Sequence, residues 1–137
     1  MKQKDSVRAF KNELRNYEIY RKEIRELTED IELLYDRLGG VRGIDPSKEP
    51  LHTLPNKDYE FALRNKISVL EAQKGIRATK VKQIDEILDR IETSLKTALI
   101  AIYAKGKTLD SQAMAMEISP SGLLKRMNRA IEEAVRR

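Results

Sequence analysis

Apolar residues recur along this chain at spacings of three and four, the period of helices with one buried face. Val7, Phe10, Leu14 and Tyr17 form one such seam, and Tyr20, Ile24, Leu27, Ile31, Leu34 and Leu38 form a second. The step from Tyr17 to Tyr20 shifts the frame between them, a shift that overwinds a coiled coil locally or hands the apolar face to a different neighbour. The pattern predicts one long helix over 6–38, ended by Gly39-Gly40. A second long helix is predicted from Asp58, with Leu63, Ile67, Leu70, Val81, Ile84, Leu88, Ile91, Leu95, Ala98 and Ile102 on one continuous heptad frame. Between them, segment 39–57 holds three glycines and three of the four prolines and reads as a long loop. Leu51 and Leu54 can cover the hairpin end from that loop.

Two seam positions of the second helix are charged: Lys74 and Arg77, flanking Gly75. An antiparallel hairpin brings them opposite residues 18–23, where Glu18 and Glu23 lie and where the first helix changes frame. That placement predicts a polar break in the seam with an ion pair that fixes register. The alternative is a helix bent at Gly75 with both cations in solvent. Residues 64–82 carry six basic side chains and one acid, Glu71. They can touch phosphates or pair with the acidic face of the first helix, and the second reading is favoured because charge runs usually solvate a helix. Unbroken from 58 to 104, the second helix would span roughly 70 Å at ~1.5 Å per residue.

The most apolar run, LKTALIAIYA at 95–104, leads into Lys105-Gly106-Lys107, a helix stop. Beyond it the chain reads TLDSQAMAMEISPSGLLKRMNRAIEEAVRR, two short helices joined by a corner. Thr108 is placed as N-cap with Asp110 in the first turn, and Leu109, Ala113 and Met116 recur at helical spacing. Ile118-Ser119-Pro120-Ser121 makes the corner, with Ser119 as the next N-cap and Pro120 at the first helical position. The second helix has Leu123, Met127, Ala130 and Ala134 as its core stripe, with Lys125, Arg126 and Arg129 off it. Short helix, corner and longer basic helix is the pattern of a helix-turn-helix. Two short helices cannot enclose a core alone, so Leu95, Leu99, Ile102 and Tyr103 are expected to form a third wall against Leu109, Ala113, Met116, Ile118, Leu123 and Met127.

The fold class follows: all-α, a long antiparallel two-helix, coiled-coil-like hairpin over 1–94 followed by a small helix-turn-helix unit over 95–137. Composition agrees, with 36% charged and 5% aromatic residues. The net charge of +5 is uneven. Residues 1–38 balance nine basic against nine acidic side chains, whereas 105–137 hold seven basic and four acidic, which suits a polyanion partner there. No stretch resembles a signal peptide or a membrane span, so a cytoplasmic protein without a membrane role is expected. The chain has no cysteine and one histidine, His52, which cannot assemble a zinc site among loop prolines and reads as a loop residue without chemistry. With no phosphate loop, no nucleophile–His–Asp set and acid pairs (Asp85-Glu86, Glu132-Glu133) that point to different helix faces, neither an enzyme nor a cofactor or small-molecule site is expected.

The string AIYAKGKTLDSQAMAMEISPSGLLKRMNRAI resembles the fourth region of bacterial sigma factors, the helix-turn-helix that reads a promoter element. The matching features are Tyr103, Gly106, Thr108-Leu109, Ala113, Ile118-Ser119, Ser121, Leu123 and Arg129-Ala130. A helical hairpin with a Pro-rich loop before such a motif is similar to the phage-encoded transcriptional regulators of the ArpU and RinA kind. Three residues depart from the pattern: Gln112 at an aliphatic position, Glu117 at the corner glycine and Arg126 at a core position. A corner of the usual geometry puts Glu117 at positive φ, where a non-glycine residue is strained.

The resemblance implies a regulator of phage or prophage genes that binds double-stranded DNA in the cytoplasm of a bacterial host. On a helix-turn-helix reading, Ser121, Gly122, Leu124 and Lys125 face base edges: Lys125 can donate to guanine, Leu124 can meet a thymine methyl group, and Gly122 permits close backbone approach. Arg126, Asn128 and Arg129 would meet phosphates, Ser119 and the helix N-terminus would bind another, and Lys107 and Thr108 would clamp the backbone on the other side. For Arg129 an ion pair with Glu132 or Glu133 competes. A homodimer formed through the hairpin would read two half-sites. Two other classes compete: a protein-interaction module docking on a partner such as RNA polymerase or a host factor, and a small phage packaging or recombination subunit.

Overall fold

A computed structural model describes residues 2–42 and 57–137, with side chains described from Asp5 to Gly39 and from Lys57 onward. Most of the predicted loop, with Leu51, His52 and Leu54, lies outside the described residues. Every regular element described is helical: α1 (Lys2–Arg15), α2 (Tyr17–Arg42), α3 (Lys57–Asp89), α4 (Thr93–Leu99) continuing into a π-helical turn (Ile100–Ala104), α5 (Leu109–Ala115) and α6 (Pro120–Arg136). None of these helices is long and apolar enough to cross a membrane.

The long helix expected over 6–38 is two helices. Its frame shift is resolved by a break at Asn16, where the Asn16 N–H reaches back only three residues to the Glu13 carbonyl at 3.0 Å. Below the break the apolar face is Val7, Phe10 and Leu14; above it Ile31, Leu34 and Leu38 are buried in a different cluster. Gly39-Gly40 does not end α2, which runs on to Arg42. A helix-interior glycine costs only ~1 kcal/mol, too little by itself to stop a helix.

The second long helix is also interrupted. At Arg90 and Ile91 the N–H groups bond three residues back, to Ile87 and Leu88, and α4 restarts after Glu92 (φ −53, ψ 139). Arg90 holds the interruption against α6 by donating from Nη1 to the Ala134 carbonyl at 2.9 Å. The apolar frame hides this break because Ile91 and Leu95 stay buried on either side of it.

The chain divides into two compact units, 22–78 and the pair of segments 1–21 with 79–137, rather than at residue 94. In the first unit α2 and α3 pack as the expected antiparallel hairpin, with Ile31, Leu34 and Leu38 against Leu63, Ile67 and the partly buried Leu70. Its register is marked by two polar links. The Tyr35 hydroxyl donates to Glu71 at 2.9 Å, and Arg77 Nε donates to Glu23 Oε2 at 2.7 Å. The second is the polar break predicted for the seam. Gly75 lies inside α3, and Lys74 is half-buried.

The other unit builds one core from Val7, Phe10 and Leu14 of α1, Ile84 and Leu88 of α3, Ile91 of the interruption, Leu95, Ala98 and Leu99 of α4, Ala113 of α5, and Leu123, Met127, Ile131 and Ala134 of α6. The third wall is present as expected, with Ile102, Tyr103, Leu109, Met116 and Ile118 packed at its edge. Two corrections apply. Ile131 takes the fully buried place in the stripe where the spacing predicts Ala130, which is half-buried. More consequentially, α1 is a wall of the helix-turn-helix unit, not a strand of the hairpin seam.

Candidate nucleic-acid interface

The local chemistry of the C-terminal motif is that of a capped helix pair. Lys105 N–H reaches the Ile100 carbonyl at 3.0 Å to close the π-helical turn, and Gly106 follows at φ +72, a left-handed conformation that glycine adopts freely. Thr108 then caps α5, its hydroxyl accepting from the Ser111 N–H at 3.1 Å, with Asp110 in the first turn where the helix dipole favours an acid.

The corner keeps its left-handed residue. Glu117 has φ +59, the single non-glycine residue at positive φ among those described. Its N–H bonds the Met114 carbonyl at 3.1 Å, and the Ile118 N–H bonds the Ala113 carbonyl at 3.0 Å. The chain thus holds a side chain in left-handed backbone at the corner between α5 and α6. Ser119 then caps α6, accepting from the Gly122 N–H at 3.0 Å, with Pro120 at the first helical position. Gly122 is specified by this cap: a Cβ there would sit 2.9 Å from the Ser119 hydroxyl oxygen. Gly122 is therefore required by the structure of the cap, and the Ser119 hydroxyl is engaged within the chain.

Burial of Leu123, Met127, Ile131 and Ala134 fixes which side of α6 faces outward. Ser121, Lys125 and Arg129, spaced by four, form the exposed ridge opposite that stripe. Arg126 is exposed too, and its long side chain tolerates the usual core position by leaving it. Lys125, Arg126 and Arg129 line a groove of about 440 Å³ shared with Arg90, Glu92, Glu133 and Arg137. Five cations face two acids there. Lys107 and Thr108 are exposed at the start of α5. Gln112 is half-buried.

Two of the expected contact residues are placed differently. Leu124 is half-buried and packs against the core, so it does not stand free for a thymine methyl group. Asn128 is turned toward α1, where its Oδ1 accepts from Lys11 Nζ at 2.6 Å. Asn128 lies on the flank of α6 that faces α1, a neighbour that the local pattern of 120–136 does not name.

The sequence reading also missed Arg8, Lys11, Arg15 and Arg90. The first three form an edge of α1 at spacings of three and four, adjacent to the buried Val7, Phe10 and Leu14. Their legible signal was that spacing, obscured by the neutral charge balance of residues 1–38. The basic run at 64–82 is partly spent inside the chain: Arg77 pairs with Glu23, Lys80 lies 3.6 Å from Glu13, and Arg64 pairs with Glu60 on its own helix at 3.0 Å. No group of acids and histidine that could hold a metal ion occurs among the described residues. Comparison with known proteins returned no matching family model, no matching curated protein and no matching solved structure.

Proposed function

We propose that this chain is a sequence-specific DNA-binding transcriptional regulator of phage or prophage genes, acting in the cytoplasm of a bacterial host, with α6 in the major groove. The observation that carries this reading is the corner. A glutamate held at φ +59 between two helices, each capped by its own hydroxyl residue, keeps the α5–α6 geometry of a helix-turn-helix at a conformational cost. An exposed Ser121–Lys125–Arg129 ridge supports the same reading, since residues on this face of a recognition helix meet base edges and phosphates.

The roles divide by position. Lys125 and Ser121 face the bases; Arg129 and Arg126 meet phosphates on the side of the Arg90 groove; Lys107 and Thr108 hold the backbone beside α5. Leu124 and Asn128 drop out of the contact set. The test is retention of genomic fragments by the wild type and by Lys125→Ala/Arg129→Ala at several salt concentrations. Selective retention of a few fragments, lost in the double variant, is the expected result. Uniform retention that disappears with modest salt reduces the charge to nonspecific attraction.

A second reading, a protein-interaction module, is favoured by one observation. The hairpin unit leaves Phe61 72% and Ile76 60% exposed on α3, with Leu33 also exposed on α2. RNA polymerase, a host factor or a second copy of the chain are the candidates for such a surface, and the homodimer expected of a helix-turn-helix reader belongs to this set. Failure of the wild type to retain any DNA at low salt would favour it over the regulator reading.

A further inference from the structure

The edge of α1 that flanks α6 carries three cations, two of them held in place by neutral partners. Lys11 Nζ is anchored by Asn128 Oδ1 at 2.6 Å and lies 5.2 Å from the centre of the Tyr103 ring. The Arg15 guanidinium lies 5.5 Å from the same ring centre, and its Nη1 donates to Asn12 Oδ1 at 2.6 Å. Arg8 completes the edge one turn before Lys11, and all three line a recess of about 420 Å³ with Val7, Tyr103, Asn128 and Glu132. Among the described residues none of the three forms an ion pair. Glu132 is the one acid lining the recess.

This arrangement differs from the other basic stretches of the molecule. Arg64, Arg77 and Lys80 each lie against a carboxylate, so much of their charge is neutralised within the chain. At the α1 edge an aromatic face and amide side chains orient Lys11 and Arg15 instead. Such contacts hold a side chain without cancelling its charge, and they lower the entropy lost when an anion binds.

We propose that the Arg8–Lys11–Arg15 edge is a second DNA-contacting surface, which binds sugar–phosphate backbone beside the groove occupied by α6. The inference rests on the helix-turn-helix reading and extends it to the N-terminal helix. Asn128 stands on α6 between the Lys125–Arg129 ridge and Lys11, so a duplex seated on the ridge runs past this edge. Arg8 and Arg15 are separated by about 10.5 Å along the helix axis at ~1.5 Å per residue, long enough to meet two or three phosphates of one strand. These contacts position the protein and carry no base information. The edge therefore adds affinity and salt dependence, and it leaves fragment preference to α6.

The experiment uses the full chain and a fragment that the wild type retains selectively, with binding measured from low to moderate salt. Arg8→Ala/Arg15→Ala is expected to flatten the plot of log affinity against log salt by about 1.8, at ~0.9 for each of two lost phosphate contacts. The rank order of fragments should stay as in the wild type. Arg8→Lys/Arg15→Lys should restore the slope, and an unchanged melting temperature in both variants separates lost contact from lost fold. A wild-type slope retained by the alanine variant overturns this inference and leaves the helix-turn-helix reading standing. A wild type that retains no fragment at any salt overturns both.

Discussion

The two compact units are built from the same kind of residue and hold themselves together differently. Among its described residues the helix-turn-helix unit buries fourteen apolar ones, contributed by α1, α3, α4, α5, α6 and the interruption before α4, with Leu14, Leu99, Leu123, Met127 and Ile131 fully enclosed. Among its described residues the hairpin unit buries five, from two facing helices, and leaves Leu33, Phe61, Val69 and Ile76 exposed. A side chain enclosed by several helices has no neighbour free to move into the space it leaves. One in a two-helix seam has fewer helices around it and neighbours that can close up. The first unit encloses its core from several sides; the described helices of the second leave large apolar side chains exposed.

The sharpest way to break this comparison is a matched pair of truncations. Leu14→Ala, in α1, is expected to cost about 4 kcal/mol and Ile67→Ala, in the seam, about 2 kcal/mol, the upper part and the lower end of the range for such changes, because the seam can collapse more readily. Chemical denaturation of both variants checks the order. Leu14→Ala should also weaken DNA retention, because α1 supports α6. An Ile67→Ala cost equal to that of Leu14→Ala would mean the seam is covered by another chain, and the melting temperature would then rise with protein concentration.

Legibility in the sequence divides along the same line. Caps, corner and third wall of the helix-turn-helix were readable, because Thr108, Ser119, Pro120 and Gly106 act through local backbone chemistry that their identity specifies. The seam was readable too, and so was its polar break at Arg77, because heptad spacing and helix length set which residues face each other. The two interruptions were not. Asn16 falls at a frame shift that signals a change of neighbour without naming the neighbour, and residues 89–92 are ordinary helix formers whose break is held by a distant contact, Arg90 to Ala134. The same blindness displaced Asn128 from the proposed contact set. Which flank of α6 is open depends on where α1 lies, and no local pattern in 120–136 encodes that.

Glu117 tests the helix-turn-helix unit at the one non-glycine residue that has positive φ among those described. Glu117→Gly removes a side chain from left-handed backbone, which costs a non-glycine residue roughly 1–2 kcal/mol. Glycine's greater freedom in the unfolded chain offsets part of that gain. The expected outcome is a stabilisation of about 1 kcal/mol in thermal melting. Removing the negative charge beside α6 should also tighten DNA binding at low salt, with the effect fading as salt screens it. Unchanged or lower stability would mean that the corner does not store strain in this residue.

The smallest effects compare the polar ties to α3 in the two units. In the helix-turn-helix unit the Tyr17 hydroxyl donates to Asp85 at 2.6 Å, and burial, followed by that hydrogen bond, pushes its pKa up from 10.0 to about 12. In the hairpin unit Arg77 meets Glu23 with both side chains about a third exposed, where such pairs are worth ~1 kcal/mol or less. The Tyr17 tie stabilises the neutral phenol, so its contribution is complete below pH 10 and is lost as pH rises through about 12, where deprotonation favours the unfolded chain. Tyr17→Phe should therefore cost about 1 kcal/mol near neutral pH, a typical hydrogen-bond contribution, and its deficit relative to wild type should shrink between pH 10 and 12. A double-mutant cycle on Arg77 and Glu23 should give about 0.5 kcal/mol, falling toward zero in high salt, because partly exposed charges are screened. The two ties thus respond to different solution variables. A salt-insensitive coupling well above 1 kcal/mol at Arg77–Glu23 would mean that the pair is shielded from water by an occupant of the hairpin surface, and the contrast between the units would hold only for the free chain.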